Sequence, residues 1–251
     1  MAGHSKWANI KHRKARQDKA RGKMWSRCSR AIIVAARQGG GDPDMNVSLR
    51  YAIDDAKAVN MPKDTIEKAI KKGTGELDGG VEYTPMRFEG YGPGGVAIII
   101  DCLTDNVNRT APEVRMAFDK YHGKLGVSGS VAFGFTQRGC LIVPAEGVSE
   151  EAIFEKAIEA GAEDVQKSDD FWEVYTAPND LHAVKSALES AGFAIESSEV
   201  TMLPGNTVEC SGDTAERVMK LLDMIEDLDD VQKVYTNAQI PDADLARLAG
   251  D

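Results

Sequence analysis

Eleven lysine and arginine side chains stand in the first 40 residues against one acid, Asp18, for a local charge of +10. Lys6, Lys11, Arg13, Lys14, Arg16, Lys19, Arg21, Lys23, Arg27 and Arg30 lie so close in sequence that they repel one another unless an anion screens them. Cations at this density displace counterions from a phosphate backbone, an interaction that is long-ranged, fast and sensitive to salt. Trp7 and His12 fall in the same run. An indole placed there either stacks on an unpaired base or anchors the segment by packing. These twelve residues are the candidate nucleic-acid contacts. A membrane surface fits less well, because the run lacks the apolar face of an interfacial helix.

The rest of the chain has the opposite sign. The 251 residues hold 30 basic and 40 acidic side chains, a net charge of −10, of which residues 81–251 carry −18. An acidic body repels phosphate and confines contact to the basic end. It also offers a surface to a protein partner.

Other chemistries find little support. Gly90, Gly92 and Gly95 spell G-x-G-x-x-G, but a dinucleotide fingerprint must follow a strand and open a helix. Here the glycines precede an apolar, β-branched run and include Pro93, which suits a tight turn between strands. There is no H-E-x-x-H, no G-x-S-x-G and no phosphate-binding loop. His4, His12, His122 and His182 have no ligand spacing, and the cysteines at 28, 102, 140 and 210 fit neither a disulfide framework nor a zinc site. They read as core thiols in a reducing compartment. The acidic doublets Asp54-Asp55, Asp169-Asp170 and Asp229-Asp230 read as solvated faces or turns. The sequence therefore predicts no catalytic residue, no metal site and no cofactor. One further polar cluster stands out: Asn106, Asn108, Arg109 and Thr110. It reads either as an Asx turn with Thr110 capping a helix, or as a donor-rich helix entrance that positions a phosphate or a carbonyl.

The elements that must position these groups follow from period and punctuation. Residues 2–21 are nearly all polar and predict a mobile arm or a helix formed on binding. In residues 23–38, Met24, Trp25, Cys28, Ile32, Ala35 and Ala36 share one helical sector. A second helix begins near an Asn46 cap, and a third runs from Pro62 to Gly73. Residues 74–80 read as a linker. After it come strand residues 87–89, the glycine turn, a strand over 96–103 and a helix from Thr110. Val131, Phe133 and Phe135 alternate as in a strand. Residues 139–203 then give β-α-β-β-α-β, the ferredoxin-like order. A final strand, helix and strand over 207–236 lack a layer of their own, so they are expected to return and complete the sheet begun earlier.

The fold class predicted is α+β, with four segments. Residues 1–80 form a basic arm and three-helix bundle, and residues 81–136 with 206–240 a discontinuous α/β middle domain. Residues 137–205 form an inserted ferredoxin-like domain, and 241–251 a loose tail. No apolar run approaches the roughly 20 residues of a membrane span.

Several of these stretches together resemble the YebC family. They are Met1-Ala2-Gly3-His4-Ser5-Lys6-Trp7-Ala8-Asn9-Ile10-Lys11-His12, Gly40-Gly41-Asp42-Pro43, Glu89-Gly90-Tyr91-Gly92-Pro93-Gly94-Gly95, Asp105-Asn106 with Asn108-Arg109-Thr110, and Gly161-Ala162-Glu163-Asp164. Trp25-Ser26-Arg27-Cys28 departs from the family's usual aromatic followed by Thr-Lys. The resemblance implies a three-domain α+β protein and a cytoplasmic, DNA-binding transcriptional regulator without enzymatic activity. Relatives that include a mitochondrial translational activator imply instead a ribosome- or ribosomal-RNA-bound factor that relieves stalled peptide synthesis. With no transit peptide ahead of the family start, a bacterial-type, monomeric, cytoplasmic protein is expected.

Overall fold

The computed structural model describes residues 18–77, 81–168 and 170–249, the side chains of 18–21 and 249 excepted. The chain divides into two compact units, one of residues up to Gly134 together with those from Asn206 onward, the other Phe135–Gly205.

The first unit opens with three helices, α1 (Asp18–Gly39), α2 (Val47–Ala58) and α3 (Lys63–Thr74). Their apolar faces meet in one core: Ile32, Ile33, Ala35 and Ala36 of α1 pack with Leu49, Ala52, Ile53 and Ala56 of α2 and with Ile66 and Ala69 of α3. Trp25 adds its ring to this core and donates its indole N–H to the Val59 carbonyl at 3.1 Å. α1 and α3 approach closely because Gly73 lacks a side chain; a Cβ there would lie 2.6 Å from the Ile33 carbonyl oxygen. α3 runs one residue past the expected Gly73 and is capped by Gly75 in the left-handed region, φ 80°. Asn46 is the predicted cap of α2, and it does more. Its Oδ1 accepts the Leu49 amide at 3.1 Å, while Nδ2 donates to the carbonyls of Ala35 and Gly40 at 2.8 and 2.9 Å. One buried amide thus closes α1 and starts α2.

A four-stranded antiparallel sheet follows in the order β3-β1-β2-β9, from β1 (Thr84–Tyr91), β2 (Ala97–Thr104), β3 (Lys124–Leu125) and β9 (Val231–Thr236). The last strand comes from beyond the inserted unit and pairs with β2, so the middle sheet is discontinuous as the patterning predicts. Ile98, Ile100 and Cys102 alternate onto the face covered by two helices, α4 (Val107–Lys120) and α7 (Gly212–Glu226). There they join Val114, Ala117 and Phe118 of α4, and Val218, Leu221, Leu222 and Ile225 of α7. The glycine motif forms the connection between β1 and β2, closed by the Gly92 amide on the Val96 carbonyl at 2.7 Å. It leads into a strand, which is the wrong context for a dinucleotide.

The second unit runs β4 (Phe135–Pro144), α5 (Glu150–Glu159), β5 (Asp164–Ser168), β6 (Phe171–Thr176), α6 (Leu181–Ser190) and β7 (Ser197–Pro204). The sheet order β5-β6-β4-β7, antiparallel throughout, is the ferredoxin-like arrangement.

Four local expectations are corrected. α4 starts at Val107, not Thr110, because Asn106 takes the cap: its Oδ1 accepts the Arg109 amide at 3.2 Å. The alternation at 131–135 is not a strand; Ala132–Gly134 is a 3-10 turn, since the Val131 and Ala132 amides are bound by a side chain rather than by a neighbouring strand. Val208–Glu209 (β8) does not join the main sheet but pairs in parallel with Ala238–Gln239 (β10). The tail is not loose through its length: Asp242–Ala249 form α8, with Leu245 buried and Leu248 against the core.

Candidate nucleic-acid interface

Helix α1 carries the last three predicted phosphate contacts, and all three are engaged by the end of α7. α7 ends at Glu226, leaving carbonyls without helical partners, and the turn 226–230 that follows holds four acids. Arg27 donates to the Glu226 carbonyl, Lys23 to that of Asp227 and Arg30 to that of Asp229. Lys23 also lies 3.2 Å from the Asp227 carboxylate and Arg30 3.5 Å from that of Asp230. Cations at a helix C-terminus complement both the open carbonyls and the macrodipole. Burial lowers the Arg27 pKa from its usual value, with Glu226 and Asp227 opposing the shift. The Arg30 guanidinium further lies 5.6 Å from the centre of the Tyr83 ring. Lys6, Trp7, Lys11, His12, Arg13, Lys14 and Arg16 lie outside the described residues, as do the side chains of Lys19 and Arg21.

The second predicted cluster closes around a residue that the sequence reading passed over. Asp230 is 1% exposed, not solvated. Arg109 Nη2 reaches both its oxygens, at 2.9 and 2.8 Å, while the hydroxyls of Thr110 and Thr104 donate to Oδ2 at 2.7 and 3.1 Å. Burial alone would raise the Asp230 carboxyl; Arg109 and the two threonines outweigh it and hold the pKa below its usual value. Arg109 also pairs with Asp105 at 2.7 Å, and these two carboxylates raise its own pKa. Asn106 caps α4, and Asn108 is exposed on its first turn. The cluster brings Arg109 and Thr110 together as an internal anchor, with Asn106 as cap. No local pattern points to Asp230, whose partners lie 120 residues and more away.

A third constellation surrounds Glu89. Its buried carboxylate accepts the amides of Gly129, Val131 and Ala132 at 2.8, 2.9 and 2.8 Å. Its own carbonyl accepts the Gly126 amide at 2.7 Å, and Tyr91 Oη donates to the Ser130 carbonyl at 2.9 Å. Burial pushes the Glu89 pKa up; the three amides reverse that and leave it lowered. Gly90 permits the close approach, since a Cβ there would meet the Lys124 carbonyl oxygen at 2.7 Å and the Phe118 ring at 2.8 Å. Among the described residues, no helix is long and apolar enough to cross a membrane, and no three His, Cys, Asp or Glu side chains group so as to hold a metal ion.

Comparison with known proteins places this arrangement. A model described as "TACO1/YebC protein N-terminal domain" matches residues 5–76, and one described as "TACO1/YebC second and third domain" matches residues 83–238. The chain belongs to the TACO1/YebC family. Family members named "Probable transcriptional regulatory protein" are similar along its length. That of Syntrophotalea carbinolica is 55% identical and covers 100% of both chains; that of Chromobacterium violaceum is 58% identical over 96% of this chain and 99% of its own. A crystal structure of a conserved hypothetical protein from Aquifex aeolicus matches with a TM-score of 0.79 at 49% identity, over 90% of this chain and 93% of that one. The α+β fold is thus shared with an experimentally determined structure. The glycine turn and the 105–110 cluster, which carry the resemblance to the TACO1/YebC family, occupy structural positions: the first links β1 to β2, and the second fixes the start of α4 to Asp230.

Proposed function

We propose that this chain is a cytoplasmic, non-enzymatic nucleic-acid-binding regulator of gene expression that grips phosphates through its basic N-terminal segment. The observation that carries the reading is the charge division: +10 in residues 1–40 against −18 in residues 81–251. The name shared by its relatives supports a role in transcription, and hence DNA as the first target. Because Lys23, Arg27 and Arg30 are engaged by the 226–230 turn, the contacts fall to Lys6, Lys11, Arg13, Lys14, Arg16, Lys19 and Arg21, with Trp7 and His12 beside them. The acidic remainder keeps those contacts local and offers a surface for a protein partner.

RNA, and the ribosome in particular, is the second reading. Phe133, 84% exposed, favours it, because splayed bases of RNA stack on aromatic rings whereas duplex DNA presents none.

The test replaces Lys6, Lys11, Arg13, Lys14 and Arg16 by glutamine in the full chain and titrates duplex DNA and ribosomal RNA over a salt series. Losing five phosphate contacts should lower the slope of log affinity against log salt by about 4–5 on duplex DNA. An unchanged slope refutes the proposal. Crosslinking in cells with sequencing of the bound nucleic acid then decides between promoter DNA and ribosomal RNA.

A further inference from the structure

The loop 126–134 joins β3 to β4 and contains no charged side chain. The sheet holds it at Gly126 and from Gly129 to Ala132, through the Glu89 carboxylate and carbonyl and the Tyr91 hydroxyl, and the Gly134 amide closes on the Val131 carbonyl at 3.0 Å. Val131 turns inward, 2% exposed, and seats the loop. Its neighbour Phe133 points the other way and is 84% exposed, with Val127 at 78%. This loop holds a large aromatic ring in water. Fixing the backbone beforehand removes the ordering cost that a partner would otherwise meet, which is the logic of a preorganised contact.

We propose that Phe133 is a base-stacking residue that takes one unpaired base of a bound RNA; this rests on the RNA reading above and specifies its contact. Area argues against a protein partner held by this loop alone. A stable protein interface needs about 800 Å² on each side, and a phenylalanine brings roughly 150–250 Å². With Val127 the only other large apolar side chain the loop exposes, the patch falls far short. A stacked base needs only the face of one ring and no charged rim; the contact is to a neutral base, which the acidic charge of residues 81–251 does not repel as it does phosphate.

The experiment measures anisotropy of a labelled 12-nucleotide RNA, single-stranded or as the duplex, with the full-length wild type and with F133A, F133L and F133W. Circular dichroism should be unchanged in all three, since the side chain is exposed. Single-strand affinity should fall roughly five- to one-hundred-fold in F133A and F133L and be retained in F133W. The salt slope should be the same in each, and duplex affinity should not move. Equal binding by wild type and F133A overturns the stacking role while leaving the phosphate reading standing. Full rescue by leucine also overturns it, in favour of an apolar contact with another macromolecule. A wild type that binds neither RNA at low salt removes the RNA reading, and stacking with it, while the duplex DNA titration above decides the phosphate reading separately.

Discussion

Thr110 donates its hydroxyl to the carboxylate of Asp230 at 2.7 Å, across 120 residues of chain that include the whole inserted unit. With Arg109 and Thr104 it completes the shell of a buried anion that ties the start of α4 to the turn after α7. Asp230→Ala leaves two hydroxyls and a guanidinium facing an empty site. Arg109 is 41% exposed and keeps Asp105, so the loss is that of the hydrogen bonds to Asp230 with two buried hydroxyls left short of an acceptor, about 2–4 kcal/mol. A urea titration should show the midpoint moving to lower denaturant by that equivalent.

Lys23, Arg27 and Arg30 make a different prediction from the cations nearer the N-terminus. Arg27→Gln removes a charged hydrogen bond to the α7 terminus and should cost about 1.5–3 kcal/mol, seen as a lower melting temperature. It should leave the salt slope of nucleic-acid binding unchanged. A slope reduced by about one unit would mean that Arg27 reaches phosphate after all.

Asn46→Ala removes a helix cap and two further hydrogen bonds, to the carbonyls of Ala35 and Gly40. The cap accounts for about 1 kcal/mol and the two donated hydrogen bonds for about 0.5–1.5 kcal/mol each. A total loss near 2–4 kcal/mol by chemical denaturation is expected.

Acid should loosen the first unit through Glu89 and Asp230. Both carboxyls are lowered in the folded chain and return to ordinary values, about 4, when it unfolds. Between the two values the unfolded chain binds more protons, so stability rises with pH across that window. The contribution is complete above about pH 5 and disappears as pH falls through the folded values. Glu89→Gln and Asp230→Asn should each flatten the acid limb of a stability profile. An acid limb identical to wild type would show that these groups are not held as described.

Thiol chemistry offers a check on packing. Burial, with Asp55 nearby, pushes the Cys28 thiol up to about 11, and burial near Asp230 pushes Cys102 up to about 12; Cys140 and Cys210 are raised by burial as well. At pH 8 the Cys28 thiolate fraction is lowered about 100-fold and that of Cys102 further, and all four should react with iodoacetamide more slowly in the native chain than in urea.

What the sequence made legible is whatever one segment decides alone. The apolar sector of α1 follows from Trp25, Cys28, Ile32, Ala35 and Ala36 at helical spacing, and the Asn46 cap from its place before an apolar-periodic run. The β-α-β-β-α-β order followed in the same way from period and glycine punctuation. The return of β9 to β2 was readable because an isolated strand, helix and strand had nothing else to cover. Features made by distant partners were not. Asp230 looked like half of a solvated doublet, since nothing near it says that Arg109 and Thr110 arrive from another element. Lys23, Arg27 and Arg30 have the composition of a phosphate-binding face, and only the placement of α7 shows that carbonyls claim them. Phe133 alternated correctly with its neighbours, but Glu89 had taken the amides a strand would need.

The central sheet also imposes an order of events during synthesis. β2 can form its hairpin with β1 early, but the strand and helix that cover its other flank follow only after the inserted unit; Thr104 and Asp230 are 126 residues apart. At roughly 5–20 residues per second that interval is about 6–25 s, during which Ile98 and Ile100 lack α7 as their roof. The insert, contiguous in sequence, has everything it needs to fold in the meantime. The nascent chain therefore finishes its middle module last, with a ribosome-bound apolar hairpin in waiting: a window for chaperones to act.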